Sequence, residues 1–259
     1  MPELPDVEGY RSIFSKHAAR KKVLEVEADA TIVRNASVRS LDAALGGQRF
    51  HAPRRHGKWL ICQTSGPSLL LHFGMTGGLV WSGEDPDRHP HDRLFLMFND
   101  GELRYRNMRK LGGAWLAHDD DEVATVLGPI GPDAYEVTAE QFLRILDKRR
   151  GGIKAALMDQ HVIAGLGNLT ADEALWHARI APKRAIASLD KLERRALYRK
   201  IRKVLRDSID AGRVPSKRSW LTSERGRRDA RCPRCKSALQ RARIAGRTTY
   251  WCSQCQPDE

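Results

Sequence analysis

Apolar residues recur at helical spacing near the start of the chain and again in its second half, and between those regions they fall in short runs. From Pro5 to about Arg20, the residues Val7, Tyr10, Phe14 and Ala18 share one face of a predicted helix. Pro5 suits the first turn, where its missing N–H costs nothing, and Asp6 and Glu8 suit the positive helix start. From Val23 to about Ala117 the pattern predicts strands: Val23–Val26, Trp59–Cys62, Leu69–Phe73, Leu94–Phe98 and Leu103–Tyr105. Gly46-Gly47, Ser65-Gly66-Pro67 and Asn99-Asp100-Gly101 mark turns, the last a hairpin signal. Ser82–Arg93, polar and containing Pro86 and Pro90, is expected to be an exposed loop. Short strands at this spacing point to a β-sandwich or barrel.

After Gly128-Pro129 the helical period returns. Thr138 and Gln141 have capping-box spacing ahead of Phe142, Ile145 and Leu146. Further helices are predicted over Gly152–Met158 and from Asn168 to His177, and the longest runs from after Ser188 to Gly212 as its C′ residue. Arg213–Arg231 reads as a basic, irregular connector. The class is α+β and multidomain: residues 1–128 rich in strands, 129–231 helical with the connector, and 232–259 a small module.

Charge narrows the partner. Lys and Arg number 45 against 32 Asp and Glu, a net charge of +13, which favours a polyanion because each neutralised phosphate releases counterions. A membrane is not expected, since no long apolar run or aromatic-anchored amphipathic helix stands out. The N-terminus does not read as a secretory signal. Four of the five cysteines crowd one C-terminal tract, which suits a reducing compartment, here the cytoplasm (the nucleoid, in a bacterium).

That tract carries chemistry. Cys232 and Cys235 form one Cys-x2-Cys, Cys252 and Cys255 another, with sixteen residues between the pairs. Two such knuckles joined by a hairpin, with Ala245-Gly246 at its turn, supply four soft ligands for one structural Zn²⁺. So short a segment builds little core, so the metal must supply its folding energy. Two disulfides or four unrelated thiols are the alternative. Cys62, alone in an apolar strand, reads as a core thiol.

Three tracts together resemble the formamidopyrimidine-DNA glycosylase and endonuclease VIII family, the first of them its formamidopyrimidine branch. They are Pro2-Glu3-Leu4-Pro5-Asp6-Val7-Glu8, Gly165-Leu166-Gly167-Asn168-Leu169, and the cysteine module with Arg247-Thr248-Thr249-Tyr250-Trp251-Cys252. The resemblance implies an N-terminal helix with a two-sheet β-sandwich, a helix–two-turns–helix domain and a zinc finger. It implies damaged double-stranded DNA as the partner, lying across the cleft between the two larger parts, and a monomeric, bifunctional glycosylase and abasic-site lyase of base excision repair.

Residue by residue, the resemblance implies that Met1 is removed and that the secondary amine of Pro2 attacks C1′ of the damaged nucleotide. α-Amino groups titrate at roughly 7.7–8, so a neutral amine is within easy reach. A proline Schiff base has no N–H to lose and stays an iminium, an electron sink that drives β- and then δ-elimination. Glu3 would protonate the sugar ring oxygen as general acid. Lys58, after Arg54-Arg55-His56-Gly57 in a predicted hairpin, matches the family's lysine on the phosphate beside the lesion and joins Pro2 and Glu3 in the catalytic set, and His72 resembles a phosphate-contacting position, though a solvated lysine and a core histidine are the plainer readings. Met75, Arg109 and Leu111 match residues that fill the gap left by a flipped base; without the resemblance Met75 and Leu111 would be core. Asn168 matches a phosphate ligand at a helix start, although asparagine also caps helices. Lys154 and Arg247 match other DNA-contacting positions.

Some residues depart from the family. Asp6 stands where glutamate is frequent, Leu111 where phenylalanine is, and Thr170 where an aromatic is usual. The connector Arg213–Arg231 is shorter than the segment in which relatives that excise oxidised purines carry a lesion-capping loop. Three rivals stay open: a catalytically idle damaged-DNA-binding protein on this scaffold, a lyase acting mainly on abasic sites or oxidised pyrimidines, and an RNA-binding zinc protein. His89-Pro90-His91 lacks further ligands and is not expected to bind metal.

Overall fold

A computed structural model describes residues 1–83 and 87–258. The chain forms two compact units, one of Met1–Pro2 with Asp6–Pro129, the other of Glu3–Pro5 with the chain from Ile130 onward.

In the first unit, most of α1 (Leu4–His17) precedes two antiparallel four-stranded sheets. The strands are β1 (Glu25–Ala28), β2 (Arg54–His56), β3 (Trp59–Gln63), β4 (Ser68–His72), β5 (Gly77–Trp81), β6 (Asp92–Phe98), β7 (Gly101–Asn107) and β8 (Gly113–Ala117). The sheet orders are β1-β6-β7-β5 and β2-β3-β4-β8. Strand β6 alternates strictly between buried and half-buried positions, the mark of a sheet with one face on a core. Val7, Phe14, Leu60, Leu69, Leu71, Leu94, Leu96 and Tyr105 meet in that core. Cys62 lies fully buried in it, which pushes its thiol well up.

One helix interrupts the expected run of strands and another follows it. Ser37 caps α2 (Val38–Leu45), and Leu41 and Leu45 are buried, so Gly46 ends a helix rather than linking strands. Asp119 caps α3 (Asp120–Leu127), whose Val123 packs on Ile61, Leu70 and Ala117. This covers the other face of β3–β4 and explains why those strands read as continuous apolar runs. The first strand starts two residues later than expected, because the Val23 N–H goes to the Gln48 carbonyl. The loop expected over Ser82–Arg93 ends earlier: Asp92 is buried against the Arg106 guanidinium, 2.6 Å away, and opens β6. Residues 84–86 of that loop lie outside the described residues.

In the second unit, α4 (Ala139–Asp147) opens on the expected Thr138–Gln141 capping box. It is followed by α5 (Ile153–Met158), α6 (Asn168–Ala178) and α7 (Lys191–Asp210), with Gly212 one residue past the α7 C-cap. Phe142, Leu146, Leu157, Leu175, Leu197, Ile201 and Leu205 form the core, and Leu4 joins it. The connector is not featureless. Trp220 and Leu221 are buried in it, and the Glu173 carboxylate accepts the Leu221 and Thr222 N–H groups at 3.1 and 3.0 Å. The chain ends in a hairpin of β9 (Gln240–Ile244) and β10 (Arg247–Trp251), turned at Ala245-Gly246. Among the described residues no helix is long and apolar enough to cross a membrane.

Candidate functional site

In the first unit the candidate residues sit on turns and loops. His56 pairs with Trp59 across the β2–β3 hairpin, leaving Gly57-Lys58 as its two-residue tip. Arg55 holds that tip: its Nε donates to Glu8 of α1 at 2.9 Å and its guanidinium donates to the Gly57 carbonyl at 3.1 Å. His72 ends β4 with its ring 4.9 Å from that of Trp59. Burial, helped by the nearby Lys58 charge, pushes its pKa down to about 4, so the ring is neutral at pH 7. Its Nδ1 accepts the Gly74 N–H at 3.4 Å, which leaves the ring proton on Nε2.

The structure brings Arg109 to Met75, with guanidinium to Sδ at 3.5 Å, and the Arg109 N–H donates to the Thr76 hydroxyl at 3.1 Å. A buried polar thread fixes both loops: Thr76 donates to Asn107, Asn107 to the Tyr105 hydroxyl, and Tyr105 to the His72 carbonyl. Leu111 is 53% exposed and so is not a core residue. Arg34 pins the backbone around it through the Lys110 and Gly112 carbonyls. Pro2 is half-buried and Met1 is exposed.

In the second unit Glu3 is 1% exposed and acts as the cap that Gly167 cannot be. Its carboxylate accepts the Leu169 N–H at 2.8 Å, the Thr170 N–H at 3.0 Å and the Thr170 hydroxyl at 2.7 Å. A carboxylate there also meets the positive end of α6. The glycines of Gly165-Leu166-Gly167 follow from this contact. A Cβ on Gly167 would lie 2.3 Å from the Glu3 carboxyl carbon, and one on Gly165 2.5 Å from the Leu4 side chain.

Asn168 opens α6 half-buried and is held at both ends of its amide. Oδ1 accepts from Lys154 at 2.7 Å, and Nδ2 donates to the Thr248 carbonyl at 3.0 Å. Lys154 itself is fully buried, so the direct DNA contact expected of it is closed to it in this conformation. Its ammonium is shared among Asn168, Asp172 at 2.6 Å and the Thr249 hydroxyl. Burial pushes the Asp172 carboxyl up and the Lys154 ammonium down, while Lys154 and Arg225, both on Asp172, pull its carboxyl back. Arg225 also donates to the Thr248 carbonyl at 2.8 Å. Arg247, at the start of β10, is exposed.

Beyond that hairpin, the Cys232, Cys235, Cys252 and Cys255 sulfurs lie within 4.8 Å of one another. Cys232–Cys255 is 3.9 Å and Cys235–Cys252 3.4 Å. A tetrahedron with Zn–S near 2.3 Å requires S···S of about 3.8 Å, so the four thiols fit one structural zinc ion. Hydrogen bonds from Ser237 bring the Cys235 thiol down to about 6, while burial pushes Cys252 up to about 12. A divalent cation is what would let all four be thiolates.

Asp172, Glu173, Arg225 and Thr249 escaped the sequence reading. In sequence Asp172-Glu173 resembles any solvated acidic pair on a helix, and its burial arises only when the connector and the β9–β10 hairpin pack on α6. The available signal was two adjacent acids inside an otherwise small and apolar turn, Ala171 to Leu175.

The chain matches three family models: the formamidopyrimidine-DNA glycosylase N-terminal domain over residues 1–114, the formamidopyrimidine-DNA glycosylase H2TH domain over 127–219, and the zinc finger found in FPG and IleRS over 231–257. It is 33% identical to a formamidopyrimidine-DNA glycosylase of Carboxydothermus hydrogenoformans, over 99% of this chain and 100% of that protein. It is 34% identical to one from Desulfitobacterium hafniense, with the same coverage. A crystal structure of the Lactococcus lactis enzyme with N7-benzyl-Fapy-dG DNA superposes with a TM-score of 0.88 at 31% identity, covering 99% of this chain and 100% of that one. The same enzyme bound to abasic-site DNA gives 0.88 and 31%, over 98% and 99%. These likenesses define the class, a DNA glycosylase of base excision repair. The chain belongs to the formamidopyrimidine-DNA glycosylase and endonuclease VIII family, in its formamidopyrimidine branch.

Proposed function

We propose that this protein excises damaged, oxidised bases from double-stranded DNA through a Schiff base on Pro2, then cleaves the strand at the resulting abasic site. The observation that carries the reading is the engagement of Glu3: a carboxyl group one residue from Pro2, buried and held by two amides and a hydroxyl of α6. A group so fixed can deliver a proton to one point, the ring oxygen of a sugar whose C1′ Pro2 attacks. Once Met1 is removed, the amine forms the C1′–N bond as the glycosidic bond breaks, and the departing base carries off the proton that the amine sheds; the ring C–O bond then opens onto the proton from Glu3, leaving the iminium. The iminium then acidifies the C2′ proton, and β-elimination expels the 3′ phosphate, with δ-elimination following.

Lys58 at its hairpin tip and His72 through a neutral Nε2–H bind phosphate from the first unit; Asn168 and Arg247 do so from the second. Lys154 acts through Asn168, whose amide it aims. Met75, Arg109 and Leu111 occupy the space of the extruded base, Arg109 offering donors to its orphaned partner. The protein works as a monomer in the cytoplasm, on the nucleoid in a bacterium.

Borohydride reduction on abasic-site DNA tests the reading directly. The processed protein yields a covalent adduct at Pro2, and Pro2→Gly yields far less. A Pro2→Gly variant, or one with a blocked terminal nitrogen, that nicks lesion-bearing duplexes at full rate would refute it.

A further inference from the structure

Thr170 stands at the third position of α6, fully buried, with its hydroxyl on Glu3. A valine of the same shape would fill the position equally well, so the hydroxyl itself requires an explanation. Part of it is structural: Oγ1 accepts the Gly167 N–H at 2.9 Å, closing the helix start. The remainder lies in its proton, which goes to Glu3 Oε2 at 2.7 Å while a second acceptor, the Gly167 carbonyl, lies 3.4 Å away.

We infer that Thr170 is a positioning residue for Glu3 that partners the carboxyl group in both of its protonation states. This rests on the proposed role of Glu3 as general acid. A hydroxyl carries one donor and two acceptor lone pairs. With Glu3 ionised, the hydroxyl donates to Oε2. With Glu3 protonated on Oε2, the acid O–H donates to the second lone pair of Oγ1, and the hydroxyl proton turns to the Gly167 carbonyl. The Gly167 N–H stays bonded to Oγ1 throughout. The two backbone amides on Glu3 lack this freedom, since they can only donate and so favour the anion alone. When the Glu3 proton passes to the sugar ring oxygen, the carboxyl O–H bond breaks, the ring oxygen gains the hydrogen, and Thr170 turns back to meet the new carboxylate. Lys154 also acts on Glu3 through its charge, from its place among Asp172, Asn168 and Thr249.

The test compares excision of a damaged base with cleavage of a preformed abasic site in single turnovers. Ring-oxygen protonation is needed where the sugar is closed and carries a base; an abasic sugar opens to its aldehyde in water. Thr170→Val is expected to slow excision about ten-fold while abasic-site cleavage changes less than about two-fold, and Thr170→Ser to restore excision. Thr170→Ala, set beside Thr170→Ser, repeats the comparison without adding bulk, in case valine fails to fold. Equal losses on both substrates, an unchanged excision rate, or a Thr170→Ser variant as slow as Thr170→Ala would each overturn the inference. Glu3→Gln separates the two levels: full excision by that variant refutes the acid role of Glu3. Loss of excision there, with unaltered excision by Thr170→Ala, refutes the part given to Thr170 alone.

Discussion

The two units place the charges with candidate roles differently. In the first, Lys58 sits on a hairpin tip and Arg109 on a loop, and the charges taken inside, Arg55, Asp92 and Arg104, carry no candidate role. In the second, charges are taken inside: Glu3, Lys154, Asp172 and Glu173 are all 1% exposed or less. There each does structural work as well, capping a helix, tying the connector or docking the β9–β10 hairpin. An exposed cation can be exchanged with little effect on folding, whereas a buried one is bound up with the packing around it.

The contrast can be broken at several points. The largest effect should come from the metal. Chelation at neutral pH is expected to unravel the Cys232–Gln256 segment, because zinc supplies roughly 10–16 kcal/mol in modules of this kind. Loss of near-ultraviolet signal from Tyr250 and Trp251 together with DNA binding would register it; a chelated protein that keeps both would not have needed the ion.

Asp172→Ala should be next, since it strands Lys154 and Arg225 without their shared anion. A loss of about 3–5 kcal/mol is expected in denaturant unfolding, and a loss below about 1 kcal/mol would mean the network contributes little to the second unit.

His72 makes a pH-dependent contribution. An unfolded histidine takes a proton below about 6.5, while this ring waits until about 4. Between those values the unfolded state binds more protons, so stability falls as pH drops from 6.5 toward 4. His72→Gln should flatten that slope by on the order of 2 kcal/mol, allowing for partial screening. A variant and parent with parallel stability profiles across this window would show the ring titrating normally.

The smallest folding effect belongs to exposed Arg109 and half-buried Lys58. Arg109→Ala and Lys58→Ala should each change stability by no more than about 0.5 kcal/mol. Lys58→Ala should also reduce the salt slope of DNA binding by about 1. A large drop in melting temperature for either would blur the division between the units.

Much of the fold was legible in the chain. The apolar run Leu94–Phe98 in β6, the Thr138 box before α4, the two-residue hairpins and the paired cysteine knuckles are local patterns with local causes, and each stands where the pattern put it. The helix α3 was missed because its meaning is not local: Val123 is apolar only to cover a sheet face that the sequence does not display. The same holds for Lys154, which reads as a DNA-facing cation until Asp172 and Thr249 are found around it.

By itself the sequence determined the order of the parts, the metal ligands and the residue types available for chemistry, since these depend on spacing and side-chain identity. Tertiary structure decided which charged groups are inside and what each one holds, including the attachment of Glu3 to residues 166 or more positions away. The physical reason is that burial and hydrogen-bond partnership belong to the surroundings of a group, and those surroundings are assembled only when distant segments pack together.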